Sequence, residues 1–173
     1  SLRNLLYTAQ ISLNKPLIIR YPRGYGEDEN WEKPFKKIIF GKGNLIKKGK
    51  KIAIISVGSI FKNVLKAINL TNDPSGCALY DLQFIKPLDD KMIIKIFKKY
   101  ERVIVVEEGV IKGGAGSAIM ELAQKEEFSI PIKLIGIPDF FIPQGNMKKL
   151  YDEFNLSSEK ISKIINAQLI KKI

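Results

Sequence analysis

Two arginines stand close together in the sequence LIIRYPRGYG, residues 17–26, where a short apolar run gives way to a loop. Leu17 to Tyr21 has the length and apolar character of a strand, and Pro22 and Gly24 end it. Arg23 then lies in a loop whose glycines allow a ligand to come close, and a guanidinium can hold a phosphate through paired hydrogen bonds. Arg23 is therefore our candidate for phosphate binding, with a surface salt bridge as the alternative.

The adjacent carboxylates Glu107 and Glu108 form a second candidate. They end a predicted buried strand, at the edge of a parallel sheet where ligands usually bind. Because neighbouring residues of a strand point to opposite faces, at most one of them can enter a given crevice. We therefore expect a helix cap, a salt bridge or an interface contact from each, and paired acid and base catalysis is the less favoured alternative.

A glycine-rich turn, GVIKGGAGSA, follows these glutamates and joins the strand to a helix. Free amides at a helix N-terminus can bind an anion. The dinucleotide-binding fingerprint would require a glycine at position 119, where this chain has Ile119, and the P-loop sequence is missing as well. We expect the glycines of residues 113–116 to let the helix begin close against the sheet, with an anion site as the alternative.

The sequence has no histidine and one cysteine, Cys77, among 173 residues. This composition excludes Ser-His-Asp and Cys-His catalysis within the chain, and also an internal disulfide. It provides no Cys and His cluster for zinc. No apolar run approaches the roughly 18 to 20 residues that span a bilayer, so we expect no membrane partner.

The chain is basic, with 29 Lys and Arg against 18 Asp and Glu and a net charge of +11. So strong a charge first suggests nucleic acid or another anionic surface. The lysines, however, occur as scattered pairs with apolar residues between them, and no aromatic and basic recognition element is visible. We expect a solvated surface and no nucleic-acid partner, and a basic binding module is the remaining alternative class.

Strand-length apolar runs alternate with helical patterns from about residue 40 onward. The predicted strands are residues 52–57, 77–82, 103–106 and 132–135. The predicted helices begin at Ser59, at Asp89, after the glycine-rich turn, at Asn146 and at Ser157 or Ser158, and an earlier one covers residues 2–13. Strand followed by helix implies right-handed crossovers, and hence an α/β three-layer domain with a mainly parallel sheet and helices on both faces.

Five segments in this order, RYPRG, GKG, DLQFIKPLD, VVEEGVIKGGAGSAI and GIPDFFIPQG, give the chain a family resemblance. It resembles the closing third of the 1-deoxy-D-xylulose-5-phosphate synthases, which are thiamine-diphosphate enzymes of the transketolase group. Transketolases and the β subunits of 2-oxo acid dehydrogenases share versions of the KPLD and EE-GG-G segments. These related enzymes are therefore alternatives.

The resemblance implies three parts: residues 1–24 as the tail of a pyrimidine-binding domain, 25–40 as a linker, and 41–173 as a transketolase C-terminal-like domain. It implies condensation of pyruvate with glyceraldehyde 3-phosphate, with loss of carbon dioxide, in non-mevalonate isoprenoid synthesis. Arg23 would bind the phosphate of glyceraldehyde 3-phosphate. Arg20 and Tyr21 match the motif without an assigned role, and Gln144 stands where many relatives have His.

Thiamine diphosphate and Mg²⁺ are expected in the complete enzyme and not on this chain. The chain is expected to be inactive alone. It is also expected to supply no catalytic, cofactor-binding or metal-binding residue. The resemblance also implies a homodimer, and the apolar loop of Phe140, Phe141 and Ile142 is expected either in that contact or as a plug of the core. The expected compartment is the cytoplasm of a bacterium or a plastid-type organelle (apicoplast or chloroplast) of a eukaryote. The Lys, Ile and Asn bias favours the organelle.

Overall fold

The computed structural model describes residues 2–12, 16–22 and 32–171. Within these residues it has five strands and six α-helices. The strands are β1 (Asn44–Lys47), β2 (Ile52–Val57), β3 (Cys77–Asp81), β4 (Arg102–Val110) and β5 (Ile132–Ile137). The helices are α1 (Leu2–Ser12), α2 (Phe61–Asn69), α3 (Asp90–Lys99), α4 (Ala115–Lys125), α5 (Met147–Glu153) and α6 (Ser158–Ile170).

The chain divides into two compact units, Ser1–Phe40 and Gly41–Ile173. In the first unit, residues 32–40 lie along α1. The buried hydroxyl of Thr8 accepts the backbone N–H of Ile38 at 2.8 Å, and the ring of Phe35 stacks on Tyr7 with 5.2 Å between centroids. The assignment of residues 1–24 and 25–40 to a preceding domain and a linker stays a prediction.

The second unit contains a five-stranded sheet in the order β1-β3-β2-β4-β5. Strands β3, β2, β4 and β5 are parallel, and β1 pairs with β3 in the antiparallel direction. The register aligns Ile54 of β2 with Leu79 of β3 and with Ile104 of β4. Nearly continuous runs of buried, mainly apolar residues form β2, β3 and the first part of β4, because both faces of the sheet are covered there.

Helices cover the sheet from both sides, and alternate strand residues form two separate cores. Ala53, Ile55, Val103 and Val105 pack with buried residues of α3 and α4. The residues between them belong to the opposite core, which includes buried residues of α2 and α6. This arrangement confirms the predicted three-layer fold with a mainly parallel sheet.

Three details of the sheet differ from the sequence prediction. Strand β4 continues to Val110, so Glu107 and Glu108 lie within it and do not end it. The edge strand β1 was not predicted, because its four residues are only partly covered and Leu45 and Ile46 are each 45% exposed. The predicted strand at Leu17 to Tyr21 is wrong, since residues 16–22 pair with no strand in the described chain. An apolar run alone does not make a strand when no partner backbone lies beside it.

Candidate functional site at the carboxyl end of the sheet

Strands β2 and β4 are neighbours, and the chain adds its next strand on opposite sides of this pair. Open α/β sheets usually bind ligands at such a topological switch point. From β2 the chain crosses to β3 on one side, and from β4 it crosses to β5 on the other. At the carboxyl ends of this central pair, Val57 lies beside Glu107. Glu108 follows, so both predicted glutamates lie at the switch point.

Glu107 is buried and points toward the helical layer of α3 and α4, in phase with Val103 and Val105. Its carboxylate accepts the backbone N–H of Ala115 at 3.0 Å and that of Gly116 at 2.9 Å. Both amides belong to the first turn of α4, where backbone N–H groups have no partner within the helix. The predicted helix cap is therefore confirmed for Glu107, and it comes from the preceding strand, not from the N-cap residue Gly114.

The glycines of residues 113–116 leave room for this carboxylate. A Cβ on Gly114 would lie 2.5 Å from Glu107 Oε2, and one on Gly116 would lie 2.7 Å from Cδ2 of Leu134. The expected close approach of helix and sheet is thus confirmed. Since a carboxylate of the protein already occupies the N-terminus of α4, this turn does not fit a cofactor diphosphate, whose charge would meet that of Glu107.

Glu108 points to the opposite face, as the alternation of strand residues predicts. Its two carboxylate oxygens accept the hydroxyl groups of Ser59 and Tyr151, one each. Burial, together with the hydrogen bond to Glu108, raises the pKa of the Tyr151 phenol. The phenol therefore stays protonated at neutral pH and acts as a donor. Glu108 thus connects β4 to the turn before α2 and to α5.

Ser59 was predicted to cap the helix that follows it, and this prediction is wrong. A short 3₁₀ turn, Gly58–Ile60, leads into α2, and the N-cap residue of α2 is Ile60, not Ser59. The hydroxyl of Ser59 donates to Glu108 instead. The carboxylate is the better acceptor because a charged partner strengthens the bond.

Asp89 is the last residue of the KPLD segment, and it binds residues of the GKG segment near the start of α3. Its carboxylate accepts from Lys42 Nζ at 3.0 Å, from the backbone N–H of Gly43 at 3.2 Å and from that of Met92 at 3.2 Å. Burial acts to raise the pKa of Asp89, but these donors outweigh it and the pKa is lowered. The predicted cap at Asp89 is confirmed, and the role of both segments here is structural.

The sequence model described as "Transketolase, C-terminal domain" matches residues 41–161. The chain belongs to this family. A 1-deoxy-D-xylulose-5-phosphate synthase of Phocaeicola vulgatus is 43% identical over 166 residues, which are 95% of this chain and 26% of that protein. Enzymes of the same name from Azobacteroides pseudotrichonymphae and Vibrio campbellii are 41% and 35% identical over 95% and 98% of this chain. The chain spans about a quarter of the length of these curated relatives.

Two solved structures show the same fold as this transketolase C-terminal domain. A split-gene transketolase, described as an inactive β4 tetramer, superposes with a TM-score of 0.70 at 24% identity, over 78% of this chain and 44% of that one. The transketolase of Campylobacter jejuni gives 0.51 at 18% identity, over 73% of this chain and 18% of that one. At such identities the likeness concerns the fold alone.

The predicted substrate-binding residue of this family member, Arg23, lies outside the described residues. Its neighbours Arg20 and Tyr21 are exposed, and Gln144 is exposed in the GIPDFFIPQG loop. Across residues 2–12, 16–22 and 32–171, no group of three or more His, Cys, Asp or Glu side chains is placed to hold a metal ion. In the same ranges no helix is long and apolar enough to cross a membrane.

Tyr151 is the functional-site residue that sequence reasoning missed. The sequence predicted it only as part of the short helix that begins at Asn146, and its partner Glu108 is 43 positions away. The one available indication was that Glu108, in an otherwise apolar strand, requires donors from the layer on its face. The identity of those donors depends on how α5 packs, which local patterns do not specify.

Proposed function

We propose that this chain is part of a 1-deoxy-D-xylulose-5-phosphate synthase, which condenses pyruvate with glyceraldehyde 3-phosphate with loss of carbon dioxide. The observation that carries the proposal is the match to relatives of that name, at 35–43% identity over nearly the whole chain. The same relatives are bacterial, which favours the cytoplasm of a bacterium over a plastid-type organelle as the compartment. The product would feed isoprenoid precursor synthesis by the non-mevalonate route.

Thiamine diphosphate, with Mg²⁺, would supply the covalent chemistry from a site held by other parts of the enzyme. The described residues support a cofactor site outside this chain. The sequence offered one glycine-rich helix start for a diphosphate, and the carboxylate of Glu107 already occupies it. The residues of this chain would then act by binding and positioning. Glu107 fixes the start of α4, and Glu108 fixes Ser59 and Tyr151 at the edge of the sheet.

We assign Arg23 the role of binding the phosphate of glyceraldehyde 3-phosphate. Its planar guanidinium can donate two parallel hydrogen bonds to a phosphate, which the ammonium of a lysine cannot do in the same geometry. In the complete enzyme, Arg23→Ala should raise the KM for glyceraldehyde 3-phosphate roughly 10- to 100-fold, since a charge-assisted hydrogen bond contributes about 1.5–3 kcal/mol. The KM for pyruvate should change by less than about threefold, and Arg23→Lys should restore little.

Steady-state kinetics with each substrate varied in turn would test this assignment. The matched control is Lys95→Ala, which removes one positive charge from an exposed position of α3. An equal rise in both KM values for Arg23→Ala would show a structural role and contradict the assignment. Product formation from the two substrates by this 173-residue chain alone would contradict the proposed division of labour.

The complete enzyme should also distinguish the proposed activity from that of its fold relatives. It should form product from pyruvate and glyceraldehyde 3-phosphate, and it should not transfer a two-carbon unit from a ketose phosphate to an aldose phosphate. The opposite preference would identify a transketolase. Activity with a 2-oxo acid and a lipoyl acceptor would identify a dehydrogenase β subunit.

For assembly we propose a homodimer that includes the loop of Phe140, Phe141 and Ile142. Exposure supports the proposal: Phe140 is 55% exposed and Phe141 is fully exposed, whereas Ile142 packs against the core. A core plug, the alternative for this loop, is wrong for Phe141. In sedimentation experiments on the complete enzyme, Phe141→Ser should weaken dimerisation, while Ile170→Ser at another exposed apolar position should not.

A further inference from the structure

A cavity of about 680 Å³ that is open to solvent lies on the surface between α2, α5 and the beginning of α6. Its volume falls within the range of sites that bind small molecules. Its lining includes Asn63, Lys66 and Asn69 of α2, together with Lys148 of α5 and Ser158 of α6. The cavity belongs to the second unit and contains neither Glu107 nor the glycine-rich turn.

The polar groups of the cavity favour an anionic ligand. Lys66 and Lys148 extend from different helices, and in the described part of the chain neither of them forms a salt bridge. One carboxylate, that of Glu159, also lines the cavity, so the charged side chains there sum to one positive charge. Ammonium, amide and hydroxyl groups are the donors that phosphate oxygens require.

The first turn of α6 adds further donors. Ser157 occupies the N-cap position, but its hydroxyl donates to Asp152 Oδ1 at 3.0 Å and does not cap the helix. The amide groups of the first turn are thus available beside the two lysines. Leu70 and Met147 provide an apolar part of the lining, which suits the ring or carbon body of a ligand.

One residue of the cavity reaches the switch point of the sheet. Tyr151 lines the cavity, and its hydroxyl donates to Glu108 of β4. A ligand in the cavity would therefore contact a side chain that holds α5 on the sheet.

We propose that this cavity binds a small phosphorylated molecule with an apolar or aromatic body, through residues other than Arg23. The proposal goes beyond the proposed synthase activity and does not depend on it. Lys66 and Lys148 hold the phosphate groups, and the face of Leu70 and Met147 contacts the body of the ligand.

The test is a titration of the ¹⁵N-labelled 173-residue chain with three probes: ADP, pyrophosphate and adenosine. ADP should bind saturably and shift the amide signals of residues 66–70, 147–151 and 157–160. Pyrophosphate should shift the same lysine-bearing segments with lower affinity, and adenosine should bind at least tenfold more weakly than ADP. Shifts confined to residues 20–25 would mean that phosphate binds only at the arginine motif and would overturn the proposal.

Variants of the two lysines distinguish binding at this site from nonspecific attraction of ADP to a positively charged protein. The double variant Lys66→Ala/Lys148→Ala should weaken ADP binding at least tenfold. The control double variant Lys95→Ala/Lys125→Ala removes the same charge from exposed positions of α3 and α4, in the opposite helical layer, and should weaken it less than twofold. Equal weakening by both double variants, or no saturable binding by the unaltered chain, would overturn the proposal.

A third variant, Ser158→Glu, tests ADP binding with a substitution that should not destabilise the fold. An acidic residue in the first turn of a helix is favourable to the helix itself, so the thermal stability should be unchanged or higher. The added carboxylate should nevertheless repel the phosphate and weaken ADP binding at least fivefold. Unchanged ADP affinity in Ser158→Glu would contradict a phosphate at this end of α6.

Discussion

Glu107, the last residue of β4 that pairs with β2, and Gly116 in the first turn of α4 are joined by a hydrogen bond of 2.9 Å, in which the backbone N–H of Gly116 donates to Oε1. The neighbouring residue, Glu108, binds side chains on the other face of the sheet. Two adjacent carboxylates therefore fasten different helical layers to one strand. This explains why a pair of glutamates at a switch point serves positioning here and not shared proton transfer.

Replacing Glu107 should destabilise the second unit more than most single substitutions do. In Glu107→Ala, two buried N–H groups of α4 lose their acceptor, and hydrogen bonds to a charged group are worth about 1.5–3 kcal/mol each. We expect the free energy of unfolding to fall by about 3 kcal/mol. Denaturant unfolding followed by far-UV circular dichroism would measure the change.

The control for this prediction is Glu121→Ala, which removes a carboxylate from an exposed position of the same helix. It should change the free energy of unfolding by no more than about 0.5 kcal/mol. Comparable losses in the two variants would show that the bonds from Ala115 and Gly116 contribute little.

The contact between Tyr151 and Glu108 gives a second prediction. Tyr151→Phe keeps the ring but removes the hydroxyl donor, so one oxygen of Glu108 loses its partner on α5. Amide hydrogen exchange in residues 147–154 should become roughly tenfold faster, because the contact of α5 with the sheet edge weakens. Exchange in β2 and β3 should remain unchanged.

Tyr7→Phe is the corresponding control, since it removes a phenol from the first unit without touching Glu108. It should leave the exchange of residues 147–154 as it is in the unaltered chain. If Tyr151→Phe also leaves it unchanged, the hydroxyl of Tyr151 does not hold α5.

The sequence predicted the central part of the fold well, for a physical reason. Strands covered on both faces are continuous apolar runs, so β2 and β4 could be recognised locally. A helix cap was one of the three contacts expected from Glu107, because strand alternation argued against a shared acid and base pair. The edge strand β1 was missed because a half-covered strand of four residues has no such run.

Contacts between distant segments could not be predicted in the same way. The partners of Glu108 come from the turn before α2 and from α5, and only the packing of the chain brings Ser59 and Tyr151 together. The strand predicted at Leu17 to Tyr21 failed for the opposite reason, since a local pattern was present and a partner strand was missing from the described chain. The assignment of Arg23 lies outside the described residues and stays a prediction.

The lowered pKa of Asp89 leads to a pH-dependent prediction. A carboxyl group whose pKa is lower in the folded chain than its ordinary value of 3.8 stabilises the fold above that value, and this stabilisation is lost as the pH falls through the folded pKa. Asp89→Asn should therefore lower the free energy of unfolding by about 1 kcal/mol at pH 7, because asparagine retains the cap but not the charge. The difference from the unaltered chain should shrink as the pH falls from about 5 toward 2.

Urea unfolding at a series of pH values would measure this difference. Asp90→Asn, a change at the exposed neighbouring position, is the control and should alter the free energy of unfolding by about 0.5 kcal/mol or less at pH 7. A difference between Asp89→Asn and the unaltered chain that stays constant from pH 7 to pH 2 would show that the charge of Asp89 is not responsible.

Cys77 provides an internal probe of whether these contacts act on the whole unit. It is the one cysteine of the chain, its side chain is fully buried at the start of β3, and burial raises the pKa of its thiol to about 11. Since the thiolate is the reactive form, alkylation at pH 8 should require opening of the sheet. Iodoacetamide should therefore label the native chain at least 1000-fold more slowly than the urea-unfolded chain.

Glu107→Ala should speed native labelling roughly 100-fold, because a loss of about 3 kcal/mol raises the open population by that factor. Glu121→Ala should leave the rate nearly unchanged, and rapid labelling of a chain that keeps its native circular dichroism would mean that β3 is accessible without unfolding.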